Sequence, residues 1–434
     1  MPNSGLLSGQ DQPSGIPLVL GFPAHDQRAA AIGEVHARPA PALRTPAILV
    51  QLAFLSEASV DFSALSELSR QRGISPPDKF ARHHSMEWGN GSLRWERHTE
   101  FTTYLWENGL SENADDPLAG MPFGSGFPVP GAVICGVRVE IRKWTKAAET
   151  QAGTFDQGSL CHSTVEGGAA AILTDFRQDK DGLTRIVILD KSLTPVRAGA
   201  LAKHLIEIET YRTLALFGLP LAQRLSPRLR RVEDRLAILT SEMKDKTRRD
   251  SQALLAELTE IAAMLEADAA SSLYRFGASR AYDGLVDERL AALDETPMPG
   301  AETFTAFLQR RMAPAMRTCR SVEKRQDTLS RRLARAATLL RTWVDVELER
   351  QNRALLTSMN SRARQQLRMQ QTVEGLSVAA ISYYVIGLIG YAAKGFEPLL
   401  PGLKAPVLMA AAVPVTLAAV WLLVRRIRRS HSEH

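Results

Sequence analysis

The chain has 434 residues, 45% of them hydrophobic and 23% charged, which is the composition of a folded protein and excludes a wholly disordered one. The formal net charge is +6, but no recognition motif accompanies it, so nucleic acid is not an expected partner. Three cysteines, Cys135, Cys161 and Cys319, stand far apart without CxxC spacing, which argues against a disulfide framework or a zinc finger and suits a reducing compartment.

Residues 1–30, rich in Gly, Ser and Pro at their start, read as a flexible tail, and no signal peptide is visible in them. Residues 31–222 read as a mixed, largely antiparallel α/β domain. Segment 48–55 is a short apolar run suited to a buried strand, and 93–97 and 101–106 alternate as antiparallel strands do. In 134–144, Val137, Val139 and Ile141 fall on one face and Arg138, Glu140 and Arg142 on the other. Segments 170–176 and 184–189 are further strands, joined at Asp179-Lys180-Asp181-Gly182, where Gly182 is free to take positive φ. Between these, 111–130 reads as a long Pro- and Gly-rich loop, of a length that is usually functional or disordered. Segment 197–217 is an amphipathic helix, with Leu201, Leu205, Ile208 and Tyr211 at steps of three or four, ended by Gly218-Leu219-Pro220.

Residues 227–371 read as long, coiled-coil-like helices. Leu229, Val232, Leu236, Leu239 and Met243 open a first arm, and a break at 295–300 separates it from a second. In the second arm an apolar seam runs from Leu308 and Met312 through Cys319, Val322, Leu329, Leu333 and Leu340 to Trp343, with Gln326 as its polar interruption. A helix over 302–371 would be on the order of 100 Å long, too long for a globular core helix, so its seam needs partner helices. Two kinds fit: the first arm folded back within the chain, or a second copy.

The end of the chain reads as a transmembrane hairpin over 375–426. Its two apolar runs, 376–393 and 405–424, are each near the length of about 20 residues that spans a hydrocarbon core. Arg362, Arg364 and Arg368 precede the first run, and Arg425, Arg426, Arg428 and Arg429 follow the second, whereas the connector carries only Lys394 and Lys404. The positive-inside rule then puts the N- and C-termini in the cytoplasm, with 427–434 as a basic cytoplasmic tail and the connector outside. Ser382, Tyr383, Tyr384, Gly387 and Gly390 are candidates for helix packing or pore lining, because small residues allow close approach and buried hydroxyls need partners. Pro414 interrupts the backbone hydrogen bonding of the second run.

No P-loop, GxGxxG, HExxH or GxSxG pattern occurs. No cofactor is implied, and catalysis is not the expected activity. The one chemical grouping is His36, Arg38, Glu96, Arg97 and His98, with His83 and His84 nearby. Such groups form a ligand or acid/base site or a structural network of ion pairs.

Glu34-Val35-His36-Ala37-Arg38-Pro39, Arg94-Trp95-Glu96-Arg97-His98-Thr99-Glu100-Phe101 and 372–384 together resemble a bacterial family of uncharacterised membrane-anchored proteins, the domain-of-unknown-function family 3422. The resemblance spans nearly the whole chain and implies membrane anchoring. The layout alone is similar to that of CorA-type divalent cation channels, but Tyr391-Ala392-Ala393-Lys394-Gly395-Phe396 stands where those carry Gly-Met-Asn, and Lys394 would repel cations. The expected protein is therefore a self-associating, membrane-anchored scaffold or regulator in the inner membrane, with the lipid bilayer and further copies of itself as partners. The alternatives are a CorA-like channel or transporter, and a tethered enzyme using His36, Arg38, Glu96 and His98.

Overall fold

The computed structural model describes residues 18–20, 22–25, 27–28, 31–32, 40–78, 81–110, 116–245, 251–396 and 405–431. Two compact units divide the chain: Met1–Ser241 with Leu258–Arg335, and Glu242–Glu257 with Ala336–His434.

The first unit is built on a mixed sheet. A two-residue hairpin, β1 (Leu18–Val19) with β2 (Phe22–Pro23), stands apart from it. The sheet itself has nine strands: β3 (Ala47–Leu55), β4 (His83–Trp88), β5 (Gly91–Arg97), β6 (Thr102–Gly109), β7 (Ala132–Lys143), β8 (Cys161–Val165), β9 (Ala170–Thr174), β10 (Thr184–Asp190) and β11 (Thr296–Pro297), in the order β11-β8-β9-β10-β7-β3-β6-β5-β4. Among the described residues only β7 and β10 pair in a parallel ladder; the other ladders are antiparallel. The turn read at 179–182 is present. Gly182 has φ 77°, and the Asp179 carboxylate accepts from the amides of Asp181 and Leu183 at 2.9 and 3.1 Å.

Strand β3 is buried at nearly every position, so both faces of the sheet are covered. On one face lies α1 (Ala58–Gln71), which sets Leu65 and Leu68 against Ile48, Val50, Trp95, Tyr104 and Trp106. The loop after β6 is no loose excursion: its described part buries Leu118 and Phe127 in this same layer. The other face is covered by α2 (Pro195–Leu216), whose Thr194 cap accepts from the Arg197 amide. Ala198, Leu201, Leu205 and Ile208 of α2 pack there with Leu49, Val139, Ile141, Ile172 and Ile188. Each leucine, isoleucine or valine among them, fully buried, contributes about 1.5–3 kcal/mol.

Helix α3 (Gly218–Asp245) begins immediately after α2. The expected stop at Gly218-Leu219-Pro220 is thus only a joint: Pro220 lies in the first turn of the next helix, where its missing N–H is no loss. Helix α4 (Ser251–Ala291) and helix α5 (Phe304–Phe396, 93 residues) follow, and the break between them holds β11, an edge strand paired with β8 that the Pro-rich sequence concealed. In this unit the α5 seam is closed within the chain. Leu308, Met312, Cys319, Val322, Leu329 and Leu333 are buried, Gln326 bonds Ser272 of α4 at 3.3 Å, and Arg325 holds Glu233 of α3 at 2.7 and 3.1 Å.

In the second unit Met243, Leu254, Ala336 and Leu340 are buried. Beyond them no residue of α5 from 341 to 381 is buried, Trp343 included. The helix continues without interruption into the first apolar run. Helix α6 (Ala405–His431) carries the second. The two touch where a Cβ on Gly390 would meet Met409 Sδ at 2.9 Å, the close approach that a small residue allows.

Candidate functional site

A narrow cleft of about 60 Å³ opens between α2 and the sheet face formed by β3, β6 and β5. Strand alternation selects what lines it. Arg94 and Glu96 of β5 point into it, with Gln51 of β3 and Thr103 of β6, while Lys203, Glu207 and Tyr211 reach down from successive turns of α2. His98, just past the end of β5, closes one side, stacked on Phe101 with ring centroids 4.2 Å apart. A volume of this size holds a few waters or a small polar group, not an extended organic ligand.

The charges inside the cleft are tied to partners. His98 Nε2 lies 4.0 Å from Glu96 Oε2. Arg94 donates to Glu107 at 3.1 Å. Glu207 receives Arg289 of α4 at 2.5 Å and lies 3.9 Å from Lys203. The Thr210 hydroxyl accepts from Gln51 at 3.1 Å and donates to the Ile206 carbonyl at 2.9 Å. The arrangement can order water or a small polar ligand between opposite charges. Among the described residues no group of three or more His, Cys, Asp or Glu is placed to hold a metal.

The residues singled out in the sequence therefore separate. Glu96 and His98 share the cleft. Arg97, one position on in the strand, lies on the opposite face, where its Nε is 3.8 Å from Asp61 and its guanidinium stands 5.1 Å from the Trp95 ring. His83 and Glu96 are cross-strand neighbours on β4 and β5. His36 and Arg38 lie outside the described residues. Glu100 faces away toward α4, receiving Arg275 at 2.7 and 2.9 Å and Tyr274 at 3.3 Å.

Two charged clusters were not legible beforehand. Asp61, wholly buried on α1, accepts the Trp95 indole N–H with both oxygens at 3.2 Å and the Tyr104 hydroxyl at 3.3 Å. Burial pushes its carboxyl above the ordinary carboxylate range, against the pull of Trp95, Thr102 and Arg97. The available signal was its place on the i, i+3, i+4 face with Ala64, Leu65 and Leu68. Glu140, on the second face of β7, is ringed by Arg138 at 3.3 Å, Arg142 at 2.8 Å and Arg185 at 2.8 Å. Burial alone would raise its pKa, but the hydrogen bonds and charges of Arg185 and Arg142 outweigh that and hold it low.

In the two apolar runs, Ser382 is buried and a Cβ on Gly390 would meet Met409. Tyr383 and Tyr384 point outward, with ring centroids 5.9 Å apart, and nothing lies within 4 Å of a Cβ built on Gly387.

The family model described as a protein of unknown function, DUF3422, matches residues 23–431. The chain belongs to that family. No curated protein and no solved structure matches the chain, so the likeness in layout to CorA-type channels is not shown. What the DUF3422 fold establishes is a mixed sheet domain, long helices, and two helices apolar and long enough to cross a membrane.

Proposed function

We propose that this DUF3422 protein is a self-associating scaffold or regulatory protein anchored in the inner membrane by two passes. Residues 376–393 and 405–424 cross the bilayer, and both termini lie in the cytoplasm. The observation that carries the reading is the exposure of the two apolar segments. Only 11% of the most apolar window of each helix is buried, so neither is a core helix of a soluble domain, and a bilayer is the solvent that such surfaces suit. The arginines flanking both runs on one side support the orientation. The buried, unpaired Cys135, Cys161 and Cys319 agree with a cytoplasmic sheet domain. The cleft beside His98 then serves as a small polar site within the scaffold.

Membranes carrying the full chain, washed in alkaline carbonate, should retain it in the pellet and release it only in detergent. Recovery in the carbonate supernatant refutes the anchoring. The detergent-released protein should run at a multiple of the 47.7 kDa protomer, and a monomer at micromolar concentration refutes the self-association.

A further inference from the structure

Along the exposed stretch of α5, heptad spacing selects one stripe. Leu348, Leu355, Met359, Met369, Val373 and Leu376 all fall on it, between 49% and 75% exposed. Asn352, Arg362 and Gln366 complete its alternating steps of three and four, and the stripe runs on through Ala380, Tyr383 and Gly387 into the apolar segment. This is a different stretch from the seam closed against α3 and α4 between Leu308 and Leu333.

Resting on the membrane-anchored reading above, we infer that this stripe is where a second copy of the same chain packs, parallel and in register, from Leu348 down into the bilayer. Three observations choose that occupant. The stripe is self-complementary, since heptad positions on one helix fit the same positions on another. Its lower part enters the apolar segment, so its partner must enter the bilayer as well, and anchoring gives every copy the same direction. All but one of the charges are also kept off it. Glu347, Arg350, Arg353, Arg364, Arg368 and Glu374 all lie on the remaining faces, and Glu349, at the margin, is held outward by Arg353 at 2.5 Å. The single charge on the stripe is Arg362, which with Gln366 forms a polar layer. Polar layers of this kind fix register and weaken association, because like charges are brought together out of water.

Single cysteines placed in the full chain in its own membranes test this, with the wild type as control, because its three native cysteines are buried. A disulfide needs Cβ atoms about 4 Å apart. Under copper-phenanthroline oxidation, L355C and M359C should therefore give disulfide dimers, and R353C and R364C should not. Co-expressed L348C and M369C chains should form no mixed disulfide, because parallel register keeps those positions on the order of 30 Å apart. R362L should let the oligomer survive dilution roughly tenfold further than wild type, as relief of a desolvated charge predicts. Efficient L348C–M369C cross-links, equal cross-linking at positions 353 and 364, or no effect of R362L would each overturn the inference. An oligomeric mass without cross-links at 355 and 359 overturns this interface alone, whereas a monomeric mass, alone or with an unlike membrane protein, overturns the self-association reading itself.

Discussion

Replacing Asp61 with alanine tests a fully buried polar contact in the sheet domain. The carboxylate is the shared acceptor for Trp95 Nε1 and Tyr104 Oη, two side chains each only 1% exposed. Asp61→Ala leaves both donors buried without that acceptor. An orphaned buried donor costs about 1–3 kcal/mol, so the pair should cost about 4 kcal/mol. For a domain of this size each kcal/mol moves Tm by roughly 2–4 °C, giving a fall of roughly 8–16 °C. Asp61→Asn keeps an acceptor of the same shape and removes a desolvated charge, so its loss should be less than half as large. The assay is thermal unfolding of the detergent-solubilised full chain at fixed scan rate, followed by tryptophan near-ultraviolet circular dichroism. Glu67→Ala, on the exposed side of α1, serves as control. The pH dependence adds a second readout. The carboxyl is raised by burial, so the folded chain binds its proton more tightly than the unfolded one. Its contribution to stability is full below the ordinary value of 3.8 and declines as pH rises through the folded value. Asp61→Asn should abolish that slope. A Tm for Asp61→Ala within about 2 °C of wild type would refute the account of Asp61 as an obligatory acceptor.

Three further outcomes follow from the same packing. Glu140→Gln strips the half-buried Arg138, Arg142 and Arg185 of their shared carboxylate and should cost about 3–5 kcal/mol at neutral pH. Because Glu140 is held below its ordinary 4.5, its contribution should be present above that pH and vanish as pH falls through the folded value, which acid titration of unfolding will show as a slope absent from the variant. Gly199→Ala should destabilise by about 1–3 kcal/mol despite better helix propensity, since the new Cβ would stand 1.6 Å from the Pro41 carbonyl oxygen; a rise in Tm refutes it. Gln326→Leu should change stability by less than about 1 kcal/mol, because Ser272 keeps its bond to the Ala269 carbonyl at 3.1 Å. Denaturation in urea will check this, and a loss above about 2 kcal/mol would make the Gln326–Ser272 pair essential.

The strands were legible because their alternation reports a face, and β7 shows how far that signal reaches. Val137, Val139 and Ile141 line the core as expected, yet Arg138, Glu140 and Arg142 do not face open water. They are largely shielded from water, with Glu140 contacting Arg138, Arg142 and Arg185, and Asp179 pairing with Arg138 at 3.1 Å as well. Period two identifies the apolar face without revealing whether the other face is covered. The candidate site divides for the same reason. Residues 96 and 97 are neighbours in sequence and on opposite sides of a sheet, so Glu96 meets the cleft and Arg97 meets Asp61. Proximity along a strand is poor evidence of a shared site. The cleft's other charged walls, Lys203 and Glu207, come from a helix about a hundred residues away, and only tertiary structure brings them there.

The long helix α5 carries the same lesson in energetic form. Its seam, from Leu308 to Trp343, and its stripe, from Leu348 to Gly387, each keep steps of three and four with a few polar interruptions, and the spacing states only that a helix partner is required. Which partner depends on where other chain is available. Up to Leu333, α3 and α4 lie alongside, and the seam is buried against them. From 341 to 381 no residue is buried, although the stripe there carries leucine, methionine and valine. A lone helix of this length gains nothing in water from exposing them, and helical stability in proteins comes mainly from packing an apolar face. The same spacing is therefore satisfied internally in the first stretch and, on the proposal above, by another copy in the second. Exposure, not periodicity, distinguishes the stretch that packs within the chain from the one that does not.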